Sequence, residues 1–180
     1  YLAGQGVSTY DLMDTITDDM VKVNLVAIAA VLIVLILTMR QIKTPIVLVL
    51  AIETAIWINL SIPYLQNTPL FYIAYLIISS VQLGATVDYA ILFSDRYREC
   101  RREMDKKESI IATISQTSVS ILTSGITMIA VGFLLGIIST HGLLSQLGYL
   151  LGKGTICSVL TVFFVLPGLL YLTDRKKTSF

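Results

Sequence analysis

The sequence predicts an all-α membrane protein, a bundle of five transmembrane helices. Its composition is the first reason: the 180 residues are 55% hydrophobic and 14% charged, with a mean hydropathy of +0.79. Average soluble chains are about 45 to 50% apolar and about 25% charged, so the polar surface here could not cover the core. Five apolar runs supply the second reason, since a helix needs about 20 such residues to cross some 30 Å of hydrocarbon. The third is the placing of Lys and Arg, which fall between alternate runs and set an orientation. A net charge of +1 leaves no cationic field for nucleic acid. Cys100 and Cys157 offer no pair for a disulfide framework or thiolate site. No cofactor or metal site is expected.

The first span runs from Asn24 to Met39 and is apolar on every side, as suits a helix facing lipid. Before it, Ser8 and Asp11 have capping-box spacing, and Asp11, Asp14, Asp18 and Asp19 accompany Leu12, Ile16 and Met20. They predict a juxtamembrane helix leading into the bilayer. The remaining spans cover Pro45 to Tyr64, Leu70 to Phe93, Ile110 to Ile138 and Leu143 to Leu172, the last long enough to hold an interfacial turn. Arg40 and Lys43 join the first two spans, six cations lie between Arg96 and Lys107, and Arg175, Lys176 and Lys177 follow the fifth. The other two connections carry none. Because Lys and Arg stay with the cytoplasm, the amino end is expected outside and the carboxy end inside. Residues 95–109 are expected to form a cytoplasmic interfacial helix, a topology anchor whose contact with anionic lipid is a secondary reading. Tyr1 in place of Met marks the chain as an expected piece of a longer protein.

Asp88 stands eight residues before Arg96, about 12 Å along a helix and well inside the hydrocarbon. A charged Asp at a helix centre costs about 2.5 to 3.5 kcal/mol even on the insertion-based scale, so such residues face a bundle interior and carry function by default. Burial disfavours the carboxylate, while hydroxyls or a cation beside it favour it; a carboxyl balanced between the two can load and release protons. Gly84 and Ala85, one turn earlier, would let a neighbouring helix approach, and Tyr89 adds a hydroxyl.

The fourth span carries a polar stripe of Thr113, Gln116, Thr117, Ser120, Thr123, Ser124 and Thr127 at helical spacing. It is expected to turn inward, with the third and fourth spans packed through the Gly84 and Ser120 faces. The hydroxyls could equally bond back to their own helix. Glu53 lies ten residues beyond Lys43, at a depth like that of Asp88, and is either relay support or an acid leaning on a polar patch. Lys153 follows Gly148 and Gly152, whose spacing lets helices touch, and could simply snorkel.

The run Gly84-Ala85-Thr86-Val87-Asp88-Tyr89-Ala90-Ile91-Leu92-Phe93, closed by Arg96-Tyr97-Arg98-Glu99, resembles the MMPL family of resistance-nodulation-division transporters. Ser124-Gly125-Ile126-Thr127 in the next span, and Gly148, Gly152, Gly154 and Leu166-Pro167-Gly168-Leu169-Leu170 at the end, are similar to that family as well. The resemblance covers residues 15 to 175 and implies a protein of two homologous halves, each with one helix, a large porter domain and then five helices. This chain looks like those last five of one half. Residues 1–20 would be the tail of an absent extracytoplasmic porter domain, 21–175 the membrane domain and 176–180 a cytoplasmic tail; Arg175-Lys176-Lys177 hints at the carboxy-terminal half. The resemblance implies proton-driven export of lipids or other hydrophobic molecules, with Asp88 and Tyr89 as proton relay. Glu53, Ser120, Thr123, Ser124 and Thr127 are candidate relay support, with Gly84, Ala85, Gly148 and Gly152 as helix-packing positions. The implied partners are membrane lipids, the porter domain, the other half and a hydrophobic substrate, with no nucleic acid.

Two other functions compete. An intramembrane serine protease built on Ser124 and His141 fails on geometry, since seventeen residues of helix separate them by about 25 Å. A sterol-sensing-like or scaffold module would share the architecture without needing a proton site.

Overall fold

The computed structural model describes residues 5–39 and 42–174, and among them it is entirely helical apart from short connections. Helix α1 covers Gln5–Met39, α2 Lys43–Leu65, α3 Tyr72–Glu103 and α4 Lys106–Ile138. Helix α5, Gly142–Leu160, continues through a π turn at Thr161–Val165 into α6, Leu166–Thr173. Five helical stretches are long and apolar enough to cross a membrane, the fifth being α5 to α6 as one unit. The chain is therefore an all-α membrane bundle. The π turn has a local cause: Pro167 brings no N–H and its ring crowds the preceding turn, so the ladder widens just before it. The fifth span stays helical through it, with no interfacial turn.

Residues Val21–Met39 of α1 are largely open to the surroundings, as a mainly apolar stretch in lipid permits; Leu35 and Met39 are fully buried, and Ala27, Ile28, Val31 and Leu32 pack half-buried against the core. It is already helical at Gln5, so Ser8 and Asp11 stand within the helix rather than at its start. Leu48, Ile52 and Ile56 of α2 meet Leu83, Val87 and Phe93 of α3, Ile121 of α4, and Val162 and Leu166 near the π turn. The α2–α3 connection is short, and Asn67 turns it with a φ of 50°, a conformation that Asn tolerates better than most residues.

Helices α4 and α5 form the closest pair, and glycine is the reason. Gly132 and Gly136 of α4 face Gly148 and Gly152 of α5. A Cβ on Gly148 would come 2.6 Å from the Gly132 carbonyl oxygen, and one on Gly132 would come 2.7 Å from the Gly152 nitrogen. Small residues let the two backbones touch, which in lipid replaces the hydrophobic drive available in water. Phe133 and Tyr149 flank the contact edge to face at 6.1 Å.

Two expectations need correcting. Residues 95–109 form no separate interfacial helix: α3 runs on to Glu103, and one break at Met104–Asp105 starts α4. The segment Ser94–Glu103 has no Gly or Pro to stop it, and Arg96–Glu99 and Asp95–Arg98 pair one turn apart along it. The end of α6 is tied to this turn. Asp174 accepts from the Tyr97 hydroxyl at 2.9 Å and from Arg101 Nε at 2.6 Å, and Lys106 donates to its backbone carbonyl. The Arg175-Lys176-Lys177 tail lies outside the described residues, as does Arg40.

The second correction concerns Gly84. It is exposed, with nothing within 4 Å of where a Cβ would stand, so α3 does not meet α4 through it. Side chains with more surface to bury, Val87, Tyr89, Ala90 and Phe93, turn into the core and rotate the stripe of Val81, Gly84, Asp88 and Leu92 outward. Ala85 is half-buried beside it. Two glycines thus invite a direct comparison in the purified five-helix chain. Gly148→Ala should cost about 1 to 3 kcal/mol through overpacking, while Gly84→Ala should be neutral or slightly stabilising through better helix propensity. Detergent unfolding curves measure both; equal losses would contradict the glycine interface.

Candidate functional site

Helix α3 presents Asp88 and Tyr89 in different directions, because successive residues are 100° apart. The Tyr89 ring is buried, and its hydroxyl lies 3.2 Å from Ser124 Oγ on α4. Asp88 is exposed and, among the described residues, makes no hydrogen bond or ion pair. On its stripe, Arg96 lies two turns along and reaches across to the Gln116 side-chain carbonyl of α4 as well as to Glu99. Tyr89–Ser124 and Arg96–Gln116 thus stitch α3 to α4 at two levels, both on the Arg96 side of Asp88.

The polar stripe of α4 divides. Thr113 and Thr117 are buried and bond back to the carbonyls of Ser109 and Thr113, at 2.6 and 2.8 Å. Ser120, Thr123, Ser124 and Thr127 are exposed and line an open groove with Val119, Met128 and Val131. Thr123 and Thr127 satisfy their own hydrogens on the preceding turn and keep acceptor capacity toward the groove. The expectation of an inward-facing stripe therefore holds for Thr113 and Thr117 and fails for Gln116, Ser120, Thr123, Ser124 and Thr127. Among the described residues, the Tyr89 hydroxyl at Ser124 is what this otherwise open face meets.

Glu53 is half-buried on α2, with Oε1 enclosed and unpartnered. No hydrogen bond or ion pair joins it to Asp88. Gly148 and Gly152 sit in the α4–α5 contact, away from the Asp88 stripe. Lys153 snorkels back to the Gln66 side-chain carbonyl at 3.3 Å. His141 is exposed just before α5, while Ser124 is in the middle of unbroken α4, which leaves no nucleophile–base pair.

One polar cluster was missed by sequence reasoning. Asn59 of α2 donates to Gln82 Oε1 of α3 at 2.8 Å and to the Leu150 carbonyl of α5 at 3.2 Å. Gln82 Nε2 reaches the Gly154 carbonyl at 3.2 Å and Ser158 Oγ at 3.4 Å, and the Thr86 and Ser158 hydroxyls meet at 2.6 Å. All four side chains are buried. Gly154 leaves the room for them, since a Cβ there would come 2.6 Å from Asn59 Nδ2. The signal was available: an Asn and a Gln in otherwise apolar spans must find partners, by the argument applied to Asp88. The cluster lies on the face of α3 away from Asp88 and fixes the rotation at which that acid is presented.

The MMPL family model matches residues 1–180. The chain belongs to the MMPL family. It is 30% identical over 179 residues to "Putative membrane protein SCO0839" of Streptomyces coelicolor, covering 97% of this chain and 25% of that protein. "Putative membrane protein ActII-3" of the same organism is 28% identical over 159 residues, 86% of this chain and 22% of its own length. "Probable transport protein MmpL12" of Mycobacterium tuberculosis is 26% identical over 103 residues, 57% of this chain and 9% of its own. This MMPL chain thus spans a quarter or less of the relatives it matches.

The amide cluster yields a measurable coupling. Asn59→Leu and Gln82→Leu should each destabilise the bundle by about 1 kcal/mol, with the double variant losing clearly less than the sum, because each single change strands a buried polar partner. Additive losses in a double-mutant cycle would show that the two amides act independently.

Proposed function

We propose that this five-helix unit is the proton-carrying membrane part of one half of a transporter, and that the whole protein exports lipids or other hydrophobic molecules on the proton-motive force. The single observation that carries the reading is Asp88: an acid inside a membrane span, exposed and unpartnered within its own chain, beside the Tyr89–Ser124 contact. Membership of the MMPL family supports a transport role, and the name of the Mycobacterium relative states one for that protein.

In this account the open face of α3 and α4 is covered by the homologous other half. Asp88 takes a proton from one side of the membrane, and the neutral form tolerates the dry interface that the charged form resists. Tyr89 holds the approach beside it, its hydroxyl free to exchange donor and acceptor roles with Ser124. Ser120, Thr123 and Thr127 offer oxygens along the same groove, where they can hold water leading to the carboxyl. Glu53 supports the relay from α2. Each inward proton releases about 2.3 kcal/mol per 100 mV of membrane potential, which rocking of the two halves would convert into movement of substrate through the porter domain. The α3–α4 turn and the carboxy end lie in the cytoplasm, with the amino end and the porter domain outside.

Asp88→Asn keeps the shape and removes the exchangeable charge. The complete transporter carrying it should assemble normally in proteoliposomes and lose transport driven by an imposed pH gradient. Tyr89→Phe should lower the rate by roughly fivefold, the equivalent of one neutral hydrogen bond. Undiminished gradient-driven export by Asp88→Asn would overturn the proton-carrier role and favour a sensing or scaffold module.

A further inference from the structure

Lys153 is a cation in the interior of the fifth span that neither the fold nor the proposed relay uses. It stands eleven residues into α5, about 16 Å by helical rise, and its stem bends back so that the ammonium reaches Gln66 in the α2–α3 connection. That neutral carbonyl is its sole partner among the described residues. The sequence offers no better one nearby: residues 142–173 contain no acid, and Glu53 is the only acid in residues 43–71. Glu53 lies ten residues before Pro63, about 15 Å toward the opposite end of α2. A cation held in a membrane span without a counter-charge is costly.

The ammonium also lines a cavity of about 320 Å3 between the end of α2, the connection and α5, within the size range of small-molecule sites. Pro63, Leu70 and Leu150 give it an apolar wall, and Tyr149 adds a ring. Gln146 fixes that wall by donating to the Pro69 carbonyl at 2.7 Å and accepting from the Phe71 N–H at 2.9 Å. Tyr64, Leu65 and Phe71 stand exposed at this end of the bundle, where aromatic rings settle at a membrane interface.

We infer that this cavity binds a membrane lipid with an anionic headgroup, its phosphate on Lys153 and its acyl chain along the apolar wall. Charge complementarity selects the headgroup, and the apolar lining with its exposed rim selects a lipid over a soluble anion. The site goes beyond the proton relay and does not depend on it.

The test uses the complete protein in phosphatidylcholine nanodiscs containing trace phosphatidylglycerol with a photoreactive acyl chain, against the matching phosphatidylcholine probe. Crosslinks are mapped by mass spectrometry to residues 59–71 and 142–153. Phosphatidylglycerol should label these peptides about fivefold more than phosphatidylcholine, the preference expected of one lysine near a headgroup. Lys153→Met should remove the preference and Lys153→Arg restore it. Gln66→Ala, which keeps the charge and frees it from its carbonyl, should retain it. Asp88→Asn should label like the native protein, so failure of the relay and failure of this site are distinguishable. Equal labelling by the two probes in the native protein, which needs no variant to fold, would overturn the inference. So would a preference that survives Lys153→Met, and displacement by free inorganic phosphate would overturn the choice of a lipid.

Discussion

Hydrocarbon offers no hydrogen bonds, and this sorts most polar side chains in the bundle, with the enclosed and unpartnered Glu53 Oε1, Asn59 Oδ1 and Ser94 Oγ as exceptions. A group that meets a partner inside the chain becomes glue; one that does not must be turned toward another molecule or toward water. Asn59, Gln82, Thr86 and Ser158 belong to the first kind, bonded to one another and to the α5 backbone with almost no exposure. Asp88 and the hydroxyls from Ser120 to Thr127 belong to the second, gathered on one open face of α3 and α4. On α3, Gln82 and Thr86 of the first set and Asp88 of the second occupy different faces, so the same amides that hold α2, α3 and α5 together direct the acid outward.

Glycine makes that division workable. Where Gly132, Gly136, Gly148 and Gly152 let α4 and α5 touch, the pair becomes a close-packed unit, with Ser145 donating to the Gly136 carbonyl at 2.7 Å beside the contact. Helix α3 then needs to meet α4 only along the seam of Tyr89–Ser124 and Arg96–Gln116, which leaves the Asp88 side of the seam open. At the far end, the Asp174 cluster with Tyr97, Arg101 and Lys106 ties the end of the fifth span to the α3–α4 turn. The bundle is braced at its middle and at one end, while the face that carries Asp88 remains uncovered.

The five spans were legible in the sequence because length and hydropathy are properties of a segment alone. That Asp88 and Arg96 stand two turns apart on one continuous helix was legible too, since the run between them is unbroken by Gly or Pro. Which way a stripe faces was not, because that depends on what the other helices offer. Thr113 and Ser120 share one stripe of α4, yet the first is buried and the second is open. Gly84 looked like a packing position by the same rule that describes Gly148, but the surface brought inward by Phe93 and Tyr89 rotated it away. Asn59 and Gln82 are 23 residues apart on antiparallel helices, and their pairing follows only once the register of α2 and α3 is known. The break at Met104–Asp105 has no Gly or Pro, and its mark in the sequence is the N-cap spacing of Asp105 and Glu108.

If Asp88 carries protons, its carboxyl must change protonation state within the assembled protein. Infrared difference spectroscopy on the complete transporter in lipid, recorded as external pH is lowered, observes this directly through the carbonyl stretch of a protonated carboxyl. The account predicts a band that grows on acidification and is missing in Asp88→Asn while the amide bands are unchanged. A spectrum in which native protein and Asp88→Asn respond alike would show that this acid does not exchange protons, and would contradict the account at its centre.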